Sequence, residues 1–91
     1  MVEIHTGLYA NSCCQKTKDE LCRVIAAVKE ARGLDLYANA GHGLNYQNVQ
    51  EIAAIKDLRG LYIGHSIISR AVLIGIEAAV REMKELIRHC Q

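Results

Sequence analysis

The sequence has no proline in its 91 residues. Segment boundaries must therefore be read from glycine and polar clusters, and their ends are set only to within a few residues. Charge of one sign is also missing. The 11 basic and 10 acidic side chains leave a formal charge of +1 and are spread along the chain. Nothing here builds the basic field that nucleic acid requires, so a nucleic-acid partner is excluded. No apolar run reaches the roughly 18 residues of a membrane span, because His65, Arg70 and Glu77 interrupt the most hydrophobic part. The opening MVEIHTG lacks the basic-then-apolar order of a signal peptide, which makes a cytoplasmic location the default expectation. Absent, too, is any C-x-x-C pair among Cys13, Cys14, Cys22 and Cys90. Adjacent Cys13 and Cys14 do not bridge each other without strain. Free thiols in a reducing compartment are the simplest reading, with a disulfide or a metal site as the alternatives.

What is present is the composition of a folding chain, 51% hydrophobic and 23% charged. At this length it is one small domain at most, with a modest core and a thin margin of stability.

Three rounds of strand, loop and helix follow one another. Val2-Glu3-Ile4-His5-Thr6 alternates apolar and polar residues and ends at Gly7, as a strand does. After a polar stretch from Asn11 to Lys18, Thr17 and Glu20 form a possible capping box. Leu21, Val24, Ile25 and Val28 then recur at helical spacing until Gly33 supplies a stop. The second round predicts a strand over Leu34 to Asn39, ending at Gly41, and a helix after Asn45 with Val49, Ile52 and Ala53 inward. The third predicts a strand at Leu61-Tyr62-Ile63, then one long helix from about Ser66 to Arg88. Its apolar stripe is Ile68, Val72, Ile76, Ala79, Val80, Met83 and Leu86. Successive strand and helix units with short connections imply a parallel sheet in an α/β fold.

Histidine and glycine recur where these strands end: His5-Thr6-Gly7, Gly41-His42-Gly43 and Gly64-His65. In a parallel sheet those ends share one rim, where α/β proteins bind ligands. Each histidine has a plain alternative, a hydrogen-bonded core residue for His5 and His42 and a helix cap for His65. Gly43 and Gly64 leave backbone N–H groups uncovered, and Gly64-His65-Ser66 opens the last helix, so a phosphate is the natural ligand. A dinucleotide fingerprint is excluded because its third glycine would fall at Tyr46. Glu3 shares a strand face with His5, and is either a paired structural charge or an electrostatic partner of a reacting cation. A metal site built from His5, His42 and His65 is a weaker reading, since their spacing matches no compact motif.

The segments EIHTG, NAGHGLNYQNV, LYIGHSIISRAV and EAAVREMKELI, in this order and spacing, resemble the C-terminal part of the pyridoxine 5′-phosphate synthase family over essentially the whole chain. That resemblance implies a (β/α)₈ barrel of which residues 1–91 supply strands six to eight with their helices, and no second domain. It implies a homo-octamer that condenses 3-amino-2-oxopropyl phosphate with 1-deoxy-D-xylulose 5-phosphate, without an organic cofactor. On the same resemblance His42 is the proton donor and Glu3 the transition-state stabiliser, while Gly43, Gly64 and His65 bind the aminooxopropyl phosphate. The family's catalytic glutamate and second histidine have no counterpart here, so the chain is expected to be a fragment, inactive alone. A non-catalytic phosphate-binding or assembly remnant is the alternative. Two open sheet edges lead us to expect self-association or poor stability.

Overall fold

The computed structural model describes residues 1–13 and 15–89. Three parallel strands, β1 (Val2–His5), β2 (Ala38–Gly41) and β3 (Leu58–Tyr62), form one sheet in the order β1-β2-β3. The expected α/β class and parallel pairing are therefore found.

Alternation along the strands gives the sheet two unlike faces. Val2 and Ile4 of β1 and Leu58 and Leu61 of β3 pack on the core, with Ala38 and Ala40 of β2 fully buried between them. The register sets Glu3 beside Asn39 and Gly60, and His5 beside Gly41 and Tyr62, on the opposite face. That face is polar and open. Asn39 is buried there, donating to the Tyr62 hydroxyl at 3.3 Å.

Helix α1 (Gly7–Ala10) is a single turn placed where a loop was predicted, and α2 (Gln15–Gly33) follows it. Helix α2 begins ahead of the expected Thr17 cap, and buries Val24, Val28 and Ala31 along one stripe. Its end is also made differently from the expectation. Asp35, not Gly33, takes the left-handed conformation, with φ 65°. Leu36 N–H reaches the Ala31 carbonyl at 2.9 Å and Asp35 N–H the Arg32 carbonyl at 3.0 Å. These two bonds satisfy carbonyls the last helical turn leaves open, which is why residues 34–37 finish the helix instead of starting a strand. The predicted second strand is corrected to begin at Ala38.

Helix α3 (Val49–Ala53) buries Val49, Ile52 and Ala53, as predicted. Strand β3 starts earlier than predicted, at Leu58, because a register shift lets Arg59 stand between the residues paired to Ala38 and Asn39. Arg59 lies over the Tyr37 ring at 4.7 Å.

The largest correction concerns the single long helix. The chain forms α4 (His65–Ile74) and α5 (Ile76–His89), broken at Gly75 with φ 88° and ψ 153°. Such a backbone is open to glycine and nearly closed to other residues. In a continuous helix, residues twelve apart are separated by about 18 Å along the axis. Arg70 and Glu82 instead pair at 3.2 Å, so α5 folds back beside α4. The predicted stripe is divided accordingly: Ala79 and Met83 are buried, whereas Ile68, Val72, Ile76 and Val80 are exposed.

Candidate functional site

The polypeptide from Gly41 to Asn48 is held in an unusual path by its neighbours. His42 has φ 97° and Gly43 φ 76°. For a histidine that conformation costs about 1–2 kcal/mol, so the surroundings must impose it. Thr6, which is fully buried, supplies two restraints. Its N–H donates to the Gly41 carbonyl at 2.9 Å, and its hydroxyl to the His42 carbonyl at 2.7 Å. Downstream, the Asn45 side chain accepts from the N–H groups of Gln47 and Asn48 at 2.8 and 2.9 Å. The Asn48 side chain accepts from Asn45 N–H at 2.8 Å and donates to the Gly43 carbonyl at 3.2 Å. Tyr9 from α1 then donates to the Asn48 carbonyl at 2.6 Å. Burial pushes the Tyr9 phenol above its ordinary value, and the charge of Glu51 adds to this.

Gly43 is required for more than an uncovered amide. A Cβ there would stand 2.6 Å from the Cβ of Ala10, in addition to the strain of its positive φ. Gly64 differs. It is the N-cap of α4 at φ −128°, and nothing lies within 4 Å of where its Cβ would be. No side chain caps this helix start, so the first N–H groups of α4 remain available at its positive end.

His42, Gly43, Gly64 and His65 line one cleft of about 530 Å³, with Tyr62 and Ser66 among the walls. Four of the five residues to which the resemblance gives site roles thus converge. Glu3 does not line it. It stands exposed on the open sheet face, with Oε1 3.3 Å from where a Gly41 Cβ would be. His5 stacks on His42, with ring centroids 4.2 Å apart and planes at 27°.

Three features of the site were not assigned from the sequence. Thr6 sits inside the quoted HTG, but nothing in the sequence tells that its hydroxyl reaches a carbonyl 36 residues away. The contact of His5 with His42 depends equally on the pairing of β1 with β2. Ser66 lines the cleft with a buried hydroxyl that has no partner among the described residues, and its place just after Gly64-His65 was its only signal. Among the described residues no group of three His, Cys, Asp or Glu side chains is placed to hold a metal ion. Cys13 and Cys22 are exposed free thiols; Cys14 and Cys90 lie outside the described residues. Among the described residues, no helix is long and apolar enough to cross a membrane.

A parallel sheet whose strand ends gather histidines, glycines and a helix N-terminus around one cleft defines an α/β protein with a candidate site at the C-terminal rim of the sheet. Residues 1–89 match the family described as pyridoxal phosphate biosynthesis protein PdxJ, and the chain belongs to that family. A pyridoxine 5′-phosphate synthase of Thermodesulfovibrio yellowstonii is 65% identical over 88 residues, which cover 97% of this chain and 36% of the relative. One from a Geobacter species is 53% identical over 89 residues, with 97% and 37% covered. Another, from Prochlorococcus marinus strain MIT 9211, is 50% identical over 86 residues, with 94% and 35% covered. The chain therefore spans about 36% of the length of the first of these curated relatives.

Proposed function

We propose that residues 1–91 are the C-terminal part of a pyridoxine 5′-phosphate synthase barrel, supplying its last three strand and helix units and about half of its active site. The whole enzyme joins 3-amino-2-oxopropyl phosphate to 1-deoxy-D-xylulose 5-phosphate and releases pyridoxine 5′-phosphate, inorganic phosphate and water. The observation that carries this reading is the single cleft in which a histidine and an uncapped helix start face the same space.

In this reading the phosphate of the aminoketone sits at the N–H groups of Gly43, Gly64 and His65, where the helix end favours an anion. His42 delivers protons. The amine nitrogen adds to a carbonyl carbon, the carbinol oxygen takes up a proton, and water leaves as the imine forms. Histidine changes its protonation near neutral pH and suits such transfers. Glu3, on the open sheet face, stabilises positive charge developing on nitrogen. No organic cofactor enters. A cytoplasmic location and a homo-oligomeric assembly belong to the same reading.

The family's other acid and base groups lie outside these residues, so the chain alone binds the aminoketone phosphate and does not turn it over. Amide NMR during titration with 3-amino-2-oxopropyl phosphate, and separately with inorganic phosphate, tests the binding. Shifts at Gly43, Gly64 and His65 are expected, and their absence removes the phosphate site. An assay with both substrates tests the second half. Product above background would show that the chain is active by itself. A second reading, a non-catalytic phosphate-binding or assembly remnant, draws on the same cleft with its uncapped helix start. Adding the missing strands as a separate polypeptide decides between them: restored turnover supports an enzyme part, and continued silence a remnant.

A further inference from the structure

His5, which ends β1, and the two residues that follow it all bear on His42. Thr6 holds its carbonyl at 2.7 Å. The His5 ring lies against its ring at 4.2 Å between centroids. Gly7 leaves room for both: a Cβ there would stand 2.5 Å from Cε1 of His5 and 3.0 Å from Cδ2 of His42. Gly7 also fixes the His5 ring, because its N–H donates to Nδ1 of His5 at 3.1 Å. A ring nitrogen accepting a main-chain N–H carries no proton, so in neutral His5 the proton sits on Nε2. The ring cannot flip without giving up that bond.

The His42 ring has no such anchor. Its backbone is tied down by Thr6, yet among the described residues no hydrogen bond reaches its imidazole. An exposed side chain without a partner samples its rotamers within nanoseconds. A proton donor must meet its acceptor within hydrogen-bond reach. Stacking is what remains to hold the ring. It occupies a face of the imidazole and does not use the ring nitrogens, in a side chain that lines the cleft.

We propose that His5 is a positioning residue for His42, a platform anchored to the main chain that keeps the proton-donating ring in one orientation. His5 touches neither substrate nor reacting atoms in this role. The proposal rests on the reading of His42 as the proton donor, but its test does not need substrate.

The test reads the side-chain rotamer of His42 from three-bond couplings in the isotope-labelled 91-residue chain. The wild type and H5F should each show one rotamer, since phenylalanine keeps the platform. H5F should also lose the slow exchange of the Gly7 N–H. H5A and H5L should show averaged couplings at His42, with the amide positions of Gly64 and His65 unchanged. H5L fills the volume without a flat ring and decides the matter if H5A does not fold. Averaged couplings in the wild type, or a single His42 rotamer in H5L, overturn the proposal whether or not the aminoketone phosphate binds. A separate titration with 3-amino-2-oxopropyl phosphate distinguishes a platform from a ligand: affinity within about twofold of wild type in H5L is expected, and a loss of about tenfold overturns it.

Discussion

The two walls of the cleft are built on opposite terms. On the β1 and β2 side the chain is crowded: His42 and Gly43 hold positive φ, Thr6 is buried beneath them, and Gly7 and Gly43 have no space for a methyl group. On the β3 and α4 side there is room, with nothing within 4 Å of the Cβ position at Gly64 and no side chain capping the helix. The contrast follows from what each wall would do. A proton donor works only at a fixed place and must be held there against its own conformational preference. An anion site at a helix start works through amides that nothing else covers. The same residue type, glycine, serves both walls for different reasons.

Substitutions at the glycines should separate the walls. Gly43→Ala adds the cost of a side chain in a left-handed conformation to an overlap with Ala10, for a loss of about 2–4 kcal/mol in chemical denaturation. A loss under about 0.5 kcal/mol would mean that the loop relaxes freely and the first wall is not crowded at all. Gly7→Ala should cost about 1–3 kcal/mol and displace both histidine rings, seen as altered ring-proton shifts of His5 and His42. Tyr9→Phe removes the bond to the Asn48 carbonyl and should cost about 1–2 kcal/mol. Tyr9 also makes the crowded wall sensitive to alkali. Its phenol is held above its ordinary value, so the folded chain binds that proton more tightly than the unfolded one. The associated stability is complete below about pH 10, the usual tyrosine value, and falls as pH rises through the raised one. Thermal melts at increasing alkaline pH should show this decline, and Tyr9→Phe should flatten it. Gly64→Ala should have the smallest effect on stability, about 0.5 kcal/mol, because only a cap preference is changed. Its consequence should be weakened binding of inorganic phosphate, read in the same amide titration.

The sequence made the crowded wall's residues visible and hid its geometry. His42 and Gly43 stood out by type and position, and the three parallel strands follow from repeating strand and helix patterns. The tie from Thr6 to His42 depends on which strands become neighbours, and a local pattern does not carry that. The error over α4 and α5 has a different cause. Ile68, Val72 and Ile76 continue the helical period across Gly75, so periodicity reports one helix where a single backbone angle makes two. Asp35 deceived in the converse way, a residue other than glycine taking the left-handed place at the end of α2. Glu3 was legible as a charge on the His5 face of its strand, but periodicity gives no depth along the strand, and the residue does not line the cleft.

The break at Gly75 also divides the molecule mechanically. Helix α5 contributes Ala79 and Met83 to the core, whereas α4 buries no residue at all. Opening α4 therefore uncovers less of the core than opening α5, chiefly the partly buried Ile67, and local unfolding begins where least burial is lost. Amide hydrogens of α4 should exchange well ahead of those of α5. A phosphate bound at the first turn would slow that exchange, making the ligand itself a tether for the least buried helix.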